Sequence, residues 1–112
     1  LIMAEVKQLK IKSGVVKRTI KELASYDKEI IDQSAKIQKM KDESKDSHDI
    51  KQQEEVMKEA TVCLADARRR LETALQELQG LVESDGDQLA EKAPADLEEA
   101  KALLAANPID DS

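Results

Sequence analysis

The residues of this chain that could do chemistry are few. The single histidine, His48, lies beside Asp46 and Asp49, but a metal site there would lack soft ligands, and a solvated helix start with capping acids explains the cluster better. The single cysteine, Cys63, precedes Leu64 on an apolar line, so we expect a buried or half-buried, inert thiol with no base to activate it. The chain also lacks a glycine-rich phosphate-binding loop. We therefore expect neither enzymatic activity nor a bound metal or nucleotide.

Charge is distributed unevenly along the chain. The net charge is −6, yet residues 1–21 carry six basic side chains against one acidic, and residues 83–112 carry nine acidic side chains against two lysines. The two ends could dock on each other, or could bind a partner through patches of both signs. The overall acidity, the single aromatic residue and the spread of the lysines around a helix argue against nucleic-acid or membrane binding. A protein partner, or simple solvation, is the better interpretation.

The cysteine count and the hydropathy indicate where the protein works. One cysteine excludes an intramolecular disulfide and favours a reducing, intracellular location. No stretch approaches the ~20 apolar residues that span a bilayer, and the start lacks the apolar core of a secretory signal. These features predict a cytosolic protein.

Apolar residues spaced by seven organise most of the chain, and such a stripe keeps to one side of an α-helix. Beside the second run, at positions three residues on, alanines predict a narrow seam between closely approaching helices. The matching positions of the first run are more polar. The runs are Leu9, Val16, Leu23, Ile30, Ile37 and Ile50, Met57, Leu64, Leu71, Leu78; the flanking lines are Val6, Ser13, Ile20, Asp27, Ser34 and Ala60, Ala67, Ala74, Leu81.

The thirteen-residue gap between the two runs breaks the seven-residue register, so we expect the chain to fold back there. The sequence predicts one all-α domain over residues 1–112: an elongated three-helix bundle, similar to a spectrin repeat, with two long antiparallel helices (about 4–42 and 48–84) and a shorter third (about 94–106). Asp46 or Ser47 would cap the second helix, and Gly86 would end it before an acidic linker. Pro94 would begin the third helix. Gly14 within the first helix indicates a close helix crossing rather than a hinge.

Several blocks of residues resemble a known family. The segment 9–18 (LKIKSGVVKR) is similar to the opening of tubulin-binding cofactor A, and the blocks 26–29, 36–40, 49–54, 69–72 and 78–79 match the family in the same order. The resemblance covers about residues 4–84. Two positions depart from it: residues 64–67 read LADA where the family often has Ile-Pro-Asp-Cys, and His48 stands where a tyrosine is common. Without that proline we expect a straighter second helix.

The resemblance implies a three-helix bundle that acts as a tubulin chaperone in the cytoplasm, associated with the cytoskeleton. Such proteins capture β-tubulin after its release from the cytosolic chaperonin, use no nucleotide or metal, and pass the client to other cofactors that assemble the α/β heterodimer. The alternative is a structural coiled-coil adaptor or homodimerising spacer, which the seven-residue spacing fits equally well. The sequence leaves both a monomer and a homodimer open.

Eight residues are candidates for contact with the partner protein, and for each the alternative is an ordinary solvated charge. Four basic residues of the first helix could meet an acidic tubulin surface. Four residues of the second helix match the family blocks without lying on the main seven-residue line. The candidates are Lys10, Lys12, Lys17, Arg18, Lys51, Gln52, Arg69 and Glu72.

Overall fold

A computed structural model of the chain describes residues 2–109, which form three α-helices and no β-strand. The helices are α1 (Ile2–Asp42), α2 (Ser47–Lys92) and α3 (Pro94–Ala106). The predicted all-α, three-helix fold class is confirmed. The chain forms two compact units: unit 1 contains the described part of residues 1–20 and 70–112, and unit 2 contains residues 21–69.

Unit 1 has a core built from all three helices. Leu9 and Val16 of α1, Leu78 and Leu89 of α2, and Leu97 of α3 are each at most 2% exposed and belong to one hydrophobic cluster. A helix as short as α3 is marginal alone in water, so its burial against α1 and α2 is what stabilises it. The predicted seven-residue stripe therefore supplies the centre of this core.

Unit 2 is a helical hairpin that joins the second half of α1 to the first half of α2. Ala60 and Ala67 are buried as expected for a narrow seam, together with Ile37 and Leu64. Asp46 caps α2, because its Oδ1 accepts a hydrogen bond of 2.8 Å from the backbone N–H of His48. Of the two predicted capping residues, Asp46 and Ser47, Asp46 is therefore the one that caps α2.

The end of α2 differs from the sequence expectation. The helical backbone is interrupted at Asp85, where φ is −121° and ψ is 15°, which agrees with the expected end near Ser84. The segment after this kink, expected to be a linker, is instead helical as far as Lys92. Gly86 does not adopt the positive φ of a helix terminator. The reason for the continuation is Leu89, which is fully buried and holds the acidic segment in a helix against the unit 1 core. Residues 64–67, which lack the family proline, lie in regular helix.

The expectation for Cys63 is wrong, because this thiol is exposed. In unit 2 two helices face each other without a third, so only the narrow line through Ala60, Leu64 and Ala67 is covered. Cys63 lies on the flank of that line.

Candidate partner-binding surface

Three of the four basic candidates on α1 are paired with carboxylates of the same chain. Lys12 Nζ lies 3.4 Å from Glu77 Oε2 of α2, Lys10 Nζ lies 3.9 Å from Asp96 Oδ2 of α3, and Lys17 pairs with Glu99 of α3. All six residues belong to unit 1. We call Lys10, Lys12 and Lys17 the clasp lysines. The sequence left open whether the two charged ends dock on each other or bind a partner. These ion pairs show that lysines of the basic segment contact carboxylates of the same chain.

The ion pairs of the clasp lysines orient α3 more than they stabilise the fold. The side chains of Lys10, Lys17 and Glu99 are between 43% and 63% exposed, and exposed ion pairs contribute at most about 1 kcal/mol each. The burial of Leu97 and Ala100 supplies most of the energy that holds α3 in place. The ion pairs on the flank of that contact fix which lysines face α3.

Arg18 lies differently from the clasp lysines. Its side chain is exposed, has no ion-pair partner within residues 2–109, and lies back along α1 over Gly14. A Cβ added to Gly14 would come within 3.2 Å of Arg18 Nη1, and its three nearest atoms would all belong to this guanidinium group. The expected close helix crossing at Gly14 is therefore wrong: the missing side chain makes room for Arg18 of the same helix.

Arg18 ends a line of residues that the sequence analysis did not single out. We call this line, formed by Met3, Lys7, Ile11, Val15 and Arg18, the outer ridge. Its members are spaced by four or three residues, so they lie on successive turns of one helix face. Met3, Ile11 and Val15 are 71%, 45% and 37% exposed. The signal was present in the sequence as apolar residues at helical spacing away from the seven-residue stripe.

The outer ridge is an apolar line with a free cation at each side of its centre. Within residues 2–109, the exposed large hydrophobic side chains outside the ridge all belong to unit 2, so unit 1 concentrates its exposed apolar surface on this one line. Lys7, one turn before Ile11, forms no ion pair with any residue that the structure describes. Lys7 and Arg18 therefore offer charge that the fold itself does not use.

The candidates on α2 do not form one compact site. Lys51, Gln52 and Arg69 belong to unit 2 and Glu72 to unit 1, and all four are exposed. Eighteen residues separate Lys51 from Arg69, which is about 27 Å along a helix. Arg69 Nη2 is also engaged with Asp66 Oδ1 at 3.2 Å, one turn away. Lys51 and Gln52, in the first turns of α2, remain adjacent and unpaired.

The described residues contain no group of three or more histidine, cysteine, aspartate or glutamate side chains placed to hold a metal ion. None of the three helices has a window long and apolar enough to cross a membrane.

The chain is similar to known proteins over most of its length. Residues 4–104 match the family model described as tubulin binding cofactor A. Human tubulin-specific chaperone A is 45% identical over 82 residues, which cover 73% of this chain and 76% of the relative. Tubulin-folding cofactor A of Arabidopsis thaliana is 40% identical over 103 residues, covering 92% and 90%. The crystal structure of the Arabidopsis thaliana protein aligns with a TM-score of 0.80 at 40% identity, over 93% of this chain and 95% of that one.

Proposed function

The chain belongs to the tubulin binding cofactor A family, and we propose that it is a tubulin-folding cofactor that captures and stabilises β-tubulin. In this proposal it acts in the cytoplasm on β-tubulin released from the chaperonin, before the α/β heterodimer assembles. It then passes the client to other tubulin-folding cofactors. The observation that carries the proposal is the match over residues 4–104, which reaches all three helices of the fold.

The character of the exposed surface supports a holding function. A client that awaits its partner subunit exposes an unfinished interface, which must be covered without being trapped. Small apolar spots such as Ile11 and Val15, bordered by cations, suit this task. Their limited area gives modest affinity, and their charges speed association with an acidic client. The clasp lysines are less suited to contact the client, because each already faces a carboxylate of the chain. Arg18 is the best of the eight candidates, and Lys51 and Gln52 would supply a second contact.

The alternative of a coiled-coil spacer has less support. A spacer would use its seven-residue stripes to bind a second chain. Leu9, Val16 and Leu78, which lie on these stripes, are 0% exposed within the single chain. In unit 1 these stripe residues are therefore covered without a partner helix. Light scattering after size exclusion tests this point. A monomer, or a dimer of folded bundles, fits the chaperone, whereas a dimer of long continuous helices that do not fold back fits the spacer.

The proposed function is tested by comparing two forms of the client. The purified chain is immobilised and incubated either with β-tubulin freshly released from chaperonin or with intact α/β heterodimer. We expect retention of β-tubulin alone, and we expect it to persist without nucleotide and in the presence of EDTA. Failure to retain β-tubulin, or equal retention of both forms, would contradict the proposal.

A further inference from the structure

We propose that the outer ridge of α1 is the surface that docks the client, and that it takes an acidic helix. The inference rests on the proposed function and adds to it the surface and the chemistry of its occupant. It replaces the simple expectation that the basic residues of the first helix act together. The outer ridge binds the partner, and the clasp lysines pair with carboxylates of the chain's own α2 and α3.

The division follows from how α1 uses its two sides. The side that carries Leu9 and Val16 is fully buried in the unit 1 core. The flanking lysines meet carboxylates of α2 and α3. Opposite the core, Ile11 and Val15 are 45% and 37% exposed, so part of each apolar side chain remains accessible to a partner. Lys7 and Arg18 border them and form no ion pair with any of residues 2–109, so this is the face with unused binding capacity.

The chemistry of the occupant follows from the charges of the ridge. Lys7 and Arg18 are eleven residues apart, about 16 Å along the helix. A partner helix lying alongside would meet both cations with carboxylates about three turns apart, and would place a small apolar side chain over Ile11 and Val15 between them. The chain already binds one acidic helix in this manner on a neighbouring side of α1: Asp96 and Glu99, one turn apart on α3, face the clasp. The outer ridge offers similar cations to a helix from another protein.

Gly14 fits the same interpretation. Its lack of a side chain leaves room for the exposed Arg18 guanidinium, whose planar donors suit a carboxylate. The Cβ of an alanine at this position would come within 3.2 Å of Nη1, so the guanidinium would have to shift by a few tenths of an ångström. The glycine therefore positions a binding group rather than bringing two helices together.

The test compares charge reversals on two parts of the same helix. Lys7→Glu/Arg18→Glu changes the outer ridge, and Lys28→Glu/Lys36→Glu makes the same change of net charge at exposed, unpaired lysines of the unit 2 part of α1. The readout is the dissociation constant for β-tubulin, with helicity checked by circular dichroism. We expect the ridge variant to bind about tenfold more weakly or worse. The control should remain within about twofold of the unchanged chain, since distant charges are screened.

A second variant tests the apolar part without altering charge. Ile11→Thr/Val15→Thr keeps β-branched side chains at exposed positions, so the helix is preserved while apolar contact is lost. We expect a loss of affinity of about fivefold or more, since truncating apolar side chains at the centre of an interface weakens binding. If the charge-reversal variant does not fold, this variant still tests whether the outer ridge binds β-tubulin.

The outcomes separate the two proposals. If the unchanged chain does not bind β-tubulin, the proposed function falls. If it binds and both ridge variants bind equally well, the function stands and the docking surface is overturned. A ridge variant could instead change the sedimentation of the free chain and leave β-tubulin binding unchanged. That result would assign the ridge to contact with a second copy of this protein and would also overturn the proposal.

Discussion

Leu89 provides the sharpest test of the fold, because the sequence placed it in an acidic linker and the structure places it in the core. It is 0% exposed and packs in the same cluster as Leu9 and Leu97. Leu89→Ala removes three carbon atoms, which accounts for about 2.4 kcal/mol of transfer free energy at about 0.8 kcal/mol each. The cavity left behind adds to this, so we expect a total loss of about 3 kcal/mol. Helix propensity hardly changes, since alanine is at least as favourable as leucine.

The assay is urea unfolding followed by circular dichroism, supported by the thermal midpoint. A loss of about 3 kcal/mol lowers the Tm of a chain of this size by roughly 10–20 °C. Leu71→Ala serves as the matched control: it is on the predicted stripe but only partly buried, so its loss should be about half as large. A linker residue would cost less than about 0.5 kcal/mol on truncation. A Leu89→Ala loss below that value, or below the Leu71→Ala loss, would refute the reasoning.

Three further changes have expected outcomes. Gly80→Ala should raise the free energy of unfolding by up to about 1 kcal/mol in urea titrations, since no atom lies within 4 Å of the added Cβ; a loss would mean that the site is not open. Ser44→Gly should raise the free energy of unfolding slightly, by about 0.5 kcal/mol, because Ser44 has φ of 55°; no gain would argue against that turn geometry. Cys63 should react with iodoacetamide at similar rates in folded and urea-unfolded chain, whereas strong protection in the folded chain would show burial.

Much of the fold could be predicted from the sequence because the seven-residue spacing has one simple physical meaning. Leu9, Val16 and Leu78 are buried where the stripe predicts, and Ala60 and Ala67 form the predicted narrow seam. A pattern of this kind reports which face of a helix is covered. It does not report how many neighbours cover it.

The number of neighbouring helices explains where the sequence-based expectations differ from the structure. Leu75 and Leu89 are buried in unit 1 because α3 adds a second covered flank, which the stripe alone does not encode. Cys63 is exposed because its part of α2 has a single neighbouring helix. The helical segment between the kink at Asp85 and Lys92 was missed because glycine and acidic residues indicate a linker locally, and the burial of Leu89 overrides them.

The candidate surface was predictable only in part. The charge asymmetry between residues 1–21 and 83–112 indicated that lysines of α1 could meet acids of the same chain. Which lysines do so depends on the side of α1 that faces α3, and that follows from three-dimensional packing. Lys10 and Lys17 turn toward α3, whereas Arg18, next in sequence to Lys17, turns outward. Adjacent residues on a helix point about 100° apart, so one basic segment can serve two purposes.

Zero-length carbodiimide cross-linking of the complex with β-tubulin tests this division of charge most directly, because the reagent joins an amine only to a carboxylate in contact with it. We expect Lys7 to link to carboxylates of the client, and the clasp lysines to link internally, Lys10 to Asp96 and Lys17 to Glu99, with and without client. Links from Lys10 and Lys17 to the client, with loss of their internal links and none from Lys7, would contradict the account.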